Sequence, residues 1–143
     1  FGVGFITLGD SMLFSTWVYL LPLLGYPDWL EVVPGITSFS AIAARMRFPL
    51  AMEQQSMAVM SCTAPEAELD NALQHHACVV LMKVYGRFPA IKALLARQGV
   101  SSQAVLVSDA SLPSEQCWQQ LDQVADDTPL PYFSTILVHT ARG

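Results

Sequence analysis

The amino-acid sequence predicts an α/β fold, and three features carry that prediction. Short apolar runs bounded by turn residues alternate with segments whose apolar residues recur at helical spacing, the pattern of strands and their covering helices. The run Ala77-Cys-Val-Val-Leu-Met-Lys-Val84 is continuous enough to be a central strand buried on both faces. Near the start, Phe5-Ile-Thr-Leu-Gly-Asp-Ser-Met-Leu-Phe-Ser-Thr16 passes from an apolar run through Gly9-Asp10-Ser11 directly into a second apolar segment. It reads as a strand handing over to a helix through a tight turn.

Taken in order, Gly2 to Thr7 is expected to be the first strand. Gly9 lets the backbone of the following turn come close to a neighbour, and Asp10 or Ser11 can cap the first free N–H groups of the next helix. That helix is expected over Met12 to Leu24, apolar almost all round and so covered on most faces, with Pro22 kinking or shortening its last turn. After Gly25-Tyr-Pro-Asp28, Leu30-Glu-Val-Val33 reads as a second strand, parallel to the first through a right-handed crossover. Pro34-Gly35-Ile36-Thr37-Ser38 leads into a small-residue helix to Met46, stopped by Phe48-Pro49-Leu50. Thr37 and Ser38 read first as plain helix caps, and their hydroxyls and N–H groups are also natural ligands for a polar group.

The rest alternates. Met57 to Ser61 is a strand, Ala64 to about Gln74 a helix with Pro65 in its first turn and acids at its positive end. After the strand Ala77–Val84 comes a helix from Phe88 to Gln98, with Ile91, Leu94 and Leu95 at helical spacing and Gly99 as its stop. Gln103–Ser108 is a strand, Trp118–Val124 a helix, and Tyr132–Val138 the last strand.

Composition narrows the function. The 143 residues amount to about one domain. Hydrophobic residues make up 52% and charged ones 13%, well below the roughly 25% charged of an average soluble protein. That surplus predicts apolar surface buried against something else. A net charge of −5, with basic residues spread thinly, argues against a nucleic-acid partner. The uncharged stretch Ser11–Pro27 contains Ser15, Thr16, Pro22 and Gly25 and falls short of the ~20 apolar residues a spanning helix needs. No basic-then-apolar leader is expected ahead of it, so no membrane association is expected and a reducing cytoplasm is the simplest setting. Cys62, Cys78 and Cys117 imply no disulfide framework. Adjacent His75 and His76 would point apart and make a poor metal pair, so no metal is expected. No Ser/His/Asp or Cys/His arrangement is visible, and Asp109, Asp126 and Asp127 read as turn acids. Physics alone therefore gives an α/β fold with backbone-rich loops suited to a small polar ligand.

Four stretches carry a resemblance. Leu8-Gly-Asp-Ser-Met-Leu-Phe-Ser-Thr-Trp-Val-Tyr-Leu20, Glu31-Val-Val-Pro-Gly-Ile-Thr-Ser-Phe-Ser-Ala41, Val80-Leu-Met-Lys-Val84 and Tyr132-Phe-Ser-Thr-Ile-Leu-Val138 resemble, in order, the tetrapyrrole methylase family. The Gly-Asp turn and the Pro-Gly-Ile-Thr loop are shared across that family. Ser15-Thr16, Phe39-Ser40 and the Leu-Met-Lys-Val strand are similar to members that methylate the C(20) meso carbon of precorrin-2 or cobalt-precorrin-2. The resemblance implies two α/β lobes with S-adenosylmethionine in the cleft between them. Residues 1–36 would be the closing strand–helix–strand of the first lobe, most of which would be missing, and 37–143 a complete second lobe with a mixed sheet.

Position by position, the resemblance implies cofactor contacts at Leu8, Gly9, Asp10 and Leu13, at Thr37 and Ser38, at Met82, and at Ala110. Asp10 would also orient the cofactor or handle a macrocycle proton. Two positions depart from the family pattern. Ser11 stands in place of the usual proline, which should loosen the turn, and Ala110 stands where relatives often have glycine. The implied activity is methyl transfer in cobalamin biosynthesis, yielding S-adenosylhomocysteine, by a homodimer acting on a tetrapyrrole. Two other readings are a family member methylating a different carbon and a non-catalytic remnant acting as an interaction module.

Overall fold

The computed structural model describes residues 2–140, in two compact units, Phe1–Ala41 and Ile42–Gly143. Its helices are α1 (Trp17–Leu23), α2 (Ser38–Met46), α3 (Glu66–His75) and α4 (Phe88–Arg97). Its strands are β1 (Met57–Ser61), β2 (Cys78–Met82), β3 (Ala104–Ser108), β4 (Gln116–Trp118) and β5 (Ser134–His139).

All five strands belong to the second unit and form one mixed sheet in the order β1-β2-β5-β3-β4. β1 and β2 run parallel, while β5 is antiparallel to both β2 and β3. The consequence for function is directional: β1, β2 and β3 all point the same way, so their carboxyl ends share one edge. β2, expected at the centre, is an interior strand beside the middle strand β5, and Cys78, Val79, Val80 and Leu81 are fully buried on alternate faces of the pleat. On one face Val79, Leu81, Leu106, Ile136 and Val138 pack with Leu69 and Leu73 of α3 and with Phe88, Ile91, Leu94 and Leu95 of α4. The spacing of those α4 residues puts them on one helical stripe. α4 ends where Gly99 takes φ +70°.

Several sequence expectations need correction. Trp118–Val124 is not an α-helix. Trp118 ends edge strand β4, and Leu121–Gln123 is a single 3₁₀ turn. Leu121 and Val124 are buried through that tighter turn instead.

The first unit departs further. Gly2–Thr7 and Leu30–Val33 carry no strand assignment. A strand exists only by pairing, and in this unit no ladder forms. The side chains confirm it: Val3 and Ile6 are each 94% exposed and Val33 is 72% exposed. The expected helix Met12–Leu24 is confined to α1. Phe14 takes left-handed backbone at φ 48°, which breaks the helical path ahead of Thr16. α1 has no side-chain cap hydrogen bond at Thr16, although Ser15 Oγ accepts the Trp17 N–H at 3.2 Å. Asp10 and Ser11 are thus not its caps. Pro22 lies inside α1, one residue from its end.

α2 forms as expected. Thr37 carbonyl accepts the N–H groups of both Ser40 and Ala41 at 3.1 Å. At the other end Arg47 takes φ 52°, and the Phe48 N–H reaches back to the Ala43 carbonyl at 2.8 Å. That is a Schellman closure with arginine where glycine is usual.

Candidate functional site

In the first unit, the candidate site is two backbone loops clasped by one carboxylate. Asp10 Oδ1 accepts the Met12 N–H at 2.8 Å, and Asp10 Oδ2 accepts the Gly35 N–H at 3.0 Å. One oxygen closes the local turn, and the other ties that turn to the Pro34-Gly35-Ile36-Thr37 loop. The Leu13 N–H donates to the Asp10 carbonyl at 3.3 Å, completing a β-turn with Ser11 at its second position. The looser turn expected from Ser11 in place of proline is therefore offset by the side chain of Asp10. The Ser11 hydroxyl itself is buried without a partner.

The glycines divide two tasks. Gly9 takes φ +67°, which a side-chain-bearing residue resists, yet a Cβ there would meet nothing closer than the Ile36 carbonyl oxygen at 3.7 Å. The crowded glycine is Gly35. A Cβ on it would overlap the Gly9 carbonyl oxygen, and it would sit 3.0 Å from the Gly9 carbonyl carbon and 3.4 Å from Asp10 Cα. Sequence reading weighed Gly9 and passed over Gly35, although the Pro-Gly pair was a usable signal. Leu8 and Ile36 stand 76% and 74% exposed beside this clasp. Thr37 Oγ1 and Ser40 Oγ share a hydrogen bond of 2.7 Å at the start of α2, next to Ser38.

In the second unit, Met82 and Ala110 lie at the same edge of the sheet. Met82 ends β2 and is in register with Thr135 of β5, which on its other side is in register with Val107 of β3. Ala110 follows β3 by two residues, and a single strand separates β2 from β3, about 10 Å at ordinary strand spacing. This edge is laced together. The Cys62 N–H donates to the Met82 carbonyl at 2.8 Å, the Val84 N–H to Ser134 at 3.3 Å, and the Asp109 N–H to Phe133 at 2.8 Å. Ser108 Oγ and Ser134 Oγ are paired at 2.9 Å beneath it. Backbone just past the strands turns left-handed at Lys83 (φ 59°), Asp109 (φ 50°) and Ser111 (φ 67°).

The electrostatics are those of scaffolding. Glu115 accepts the Ser111 N–H at 3.0 Å and the Arg45 Nε–H at 3.1 Å. Those bonds, the backbone one first, hold its carboxyl below the usual glutamate range. Burial pushes the Cys62 thiol up to about 12, against a smaller pull from Arg87, and burial alone pushes Cys78 up to about 11. Neither is a nucleophile at neutral pH. His75 Nδ1–H donates to the Asn71 carbonyl and His76 pairs with Ser56 Oγ. Among the described residues no group of three or more His, Cys, Asp or Glu is placed to hold a metal ion. Among them, too, no helix is long and apolar enough to cross a membrane.

A family of known proteins matches this chain over residues 2–125, and it is the tetrapyrrole (corrin/porphyrin) methylases. The chain belongs to the tetrapyrrole methylases. Among them, cobalt-precorrin-2 C(20)-methyltransferase of Salmonella typhimurium strain LT2 is 66% identical over 137 residues, covering 96% of this chain and 58% of its own length. Precorrin-2 C(20)-methyltransferase of a Sinorhizobium species is 32% identical, covering 95% of this chain and 55% of its own. The chain thus spans somewhat more than half the length of these tetrapyrrole methylases. In three dimensions it is similar to uroporphyrin-III C-methyltransferase of Thermus thermophilus, crystallised with S-adenosylhomocysteine. That likeness has a TM-score of 0.63 at 28% identity and covers 94% of this chain and 64% of the other.

Proposed function

We propose that this chain is part of an S-adenosylmethionine-dependent methyltransferase acting on the C(20) meso carbon of precorrin-2 or cobalt-precorrin-2 in cobalamin biosynthesis. The observation that carries the proposal is the 66% identity to cobalt-precorrin-2 C(20)-methyltransferase, sustained over 96% of the chain. The clasp geometry supports it from the other side. Two main-chain loops, with the hydroxyls of Thr37 and Ser38 beside them and exposed apolar Leu8 and Ile36 alongside, suit a nucleoside with an amino-acid tail. They offer hydrogen bonds and apolar cover without a cluster of charge.

The contacts proposed are those the family pattern implies: Leu8, Gly9, Asp10 and Leu13 in the first loop, Thr37 and Ser38 in the second, with Met82 and Ala110 at the sheet edge. When bound, S-adenosylmethionine supplies an electrophilic sulfonium methyl group. The macrocycle carbon is already an electron-rich nucleophile, so the work left to the chain is alignment and exclusion of water. Asp10 fits a holding role, because both of its oxygens are engaged by backbone N–H groups. We assign residues 1–36 to the end of a first lobe and 37–143 to a second. The expected setting is a cytoplasmic homodimer, which would cover exposed apolar residues such as Val3, Ile6 and Trp29.

The test is direct. The chain is incubated with S-adenosylmethionine and cobalt-precorrin-2 under anaerobic conditions, and the macrocycle is analysed by mass and NMR. One added methyl at C(20) supports the reading, and a methyl at another carbon redirects it. Binding of S-adenosylhomocysteine without any methylation leaves this chain a cofactor-binding module only.

A further inference from the structure

The loop after β3 is held in a conformation its residues do not favour. Asp109 at φ 50° and Ser111 at φ 67° both take left-handed backbone, one on each side of Ala110, and neither is glycine. Aspartate visits that region more readily than most side-chain-bearing residues, whereas serine there is uncommon and is held by its surroundings. Here the imposing contacts can be named. On one side, the Asp109 N–H donates to the Phe133 carbonyl at 2.8 Å and the Leu112 N–H to the Asp109 carbonyl at 2.9 Å. Ser114 Oγ–H donates to Asp109 Oδ2 at 2.8 Å. On the other side, Glu115 does the fastening: Oε1 accepts the Ser111 N–H, and Oε2 accepts Arg45 Nε–H from the last turn of α2. The Glu115 side chain is 19% exposed and Arg45 63% exposed, so the pair is partly shielded on the acid's side only. The depressed carboxyl of Glu115 agrees with a group held ionised by its donors.

The geometry points to Glu115 as a positioning residue that pre-sets the Ala110 backbone for the cofactor without touching it. This rests on the cofactor reading proposed above. Pre-setting acts on affinity through the fraction of molecules already in the competent form. If loss of Glu115 lets the Ser111 side of the loop relax so that about one molecule in ten remains competent, the dissociation constant rises about tenfold.

The experiment is calorimetric titration of the full chain with S-adenosylhomocysteine. Glu115→Ala is expected to weaken binding about tenfold. Glu115→Gln keeps an acceptor for the Ser111 N–H and should stay within about threefold of the unaltered chain. Glu115→Ala combined with Ser111→Gly should recover at least about threefold of the loss, because glycine takes positive φ without strain. A side chain that only contributed surface charge would not be rescued by a glycine at 111. Should Glu115→Ala fail to fold, Arg45→Ala, which removes the support from behind Glu115, is expected to weaken binding about threefold instead. Equal affinity for the unaltered chain and both single alanine variants overturns the inference, as does a double variant no tighter than Glu115→Ala. An unaltered chain that gives no heat overturns the cofactor reading, and this inference with it.

Discussion

Gly35 offers the sharpest test of the clasp. Adding one methyl group there places a carbon on the Gly9 carbonyl oxygen, with the Gly9 carbonyl carbon at 3.0 Å behind it. The obstacle is main chain on both sides, so no flexible side chain can swing away. Overpacking of this kind costs about 1–3 kcal/mol. Relief by separating the loops breaks the bond from the Gly35 N–H to Asp10 Oδ2, and a hydrogen bond to a charged group contributes about 1.5–3 kcal/mol. Whichever route the chain takes, Gly35→Ala is therefore expected to destabilise the clasp by about 1.5–3 kcal/mol. Native-state hydrogen exchange followed by NMR reads this locally. The amides of Met12 and residue 35, both bonded to Asp10, should lose about tenfold to a hundredfold of protection, since each 1.4 kcal/mol is tenfold. Amides of β2 and β5 should not change. Gly86→Ala is the control, because a Cβ there meets nothing within 4 Å and its φ is not left-handed. Protection at Met12 retained to within about threefold of that control would refute the clasp as drawn.

Other changes have definite signs. Asp10→Asn keeps the shape but turns one acceptor into a donor facing a backbone N–H. It should cost about 1–3 kcal/mol at the same two amides, while Asp10→Ala exposes both. Ser11→Pro should stabilise by about 0.5–1 kcal/mol, raising the melting temperature by a few degrees. It occupies the second position of a type I-compatible turn and removes a buried hydroxyl without a partner. Glu115 is more acidic in the folded chain than a free glutamate, so it adds stability above the ordinary value of 4.5. That contribution is lost as pH falls through and below 4.5, and an acid melting series should show a Glu115→Gln chain losing less over that window. Thiol titration at pH 8 should modify exposed Cys117 in the folded chain, and Cys62 and Cys78 only on unfolding.

The second unit was far more legible in the sequence than the first, for a physical reason. A strand buried on both faces leaves a run such as Cys78–Met82 that almost nothing else would tolerate, and a helix on a sheet leaves a stripe such as Phe88, Ile91, Leu94 and Leu95. Both signals are local. The apolar runs Gly2–Thr7 and Leu30–Val33 have the same composition, but pairing is a property of neighbours, and nothing in those residues says whether a neighbour is present. The helix expected from Met12 failed at Phe14 for a similar reason: a left-handed residue is set by the turn around Asp10, not by its own propensity. The helix expected over Trp118–Val124 failed because an apolar spacing of three, as in Leu121 and Val124, suits a 3₁₀ turn as well as an α-helix. At the candidate site both loops were legible by residue type, Gly9-Asp10 and Pro34–Ser38, whereas the hydrogen bond that joins them across 25 positions was not.

The carboxylates near the candidate contacts share one habit, and it bears on the kind of chemistry the site is built for. Asp10 spends both oxygens on backbone N–H groups. Glu115 spends one on Ser111 and one on Arg45, and Asp109 accepts a serine hydroxyl while its own backbone is pinned to Phe133. A general base needs an oxygen free to take a proton from a reacting group, and an acid needs a pKa raised toward neutrality. Glu115 is displaced in the opposite direction. These acids hold loops in place, two of them beside left-handed, side-chain-bearing residues. In each unit, loops held this way contribute position rather than proton transfer, which suits the methyl transfer proposed above, between an electrophilic methyl group and an already electron-rich carbon.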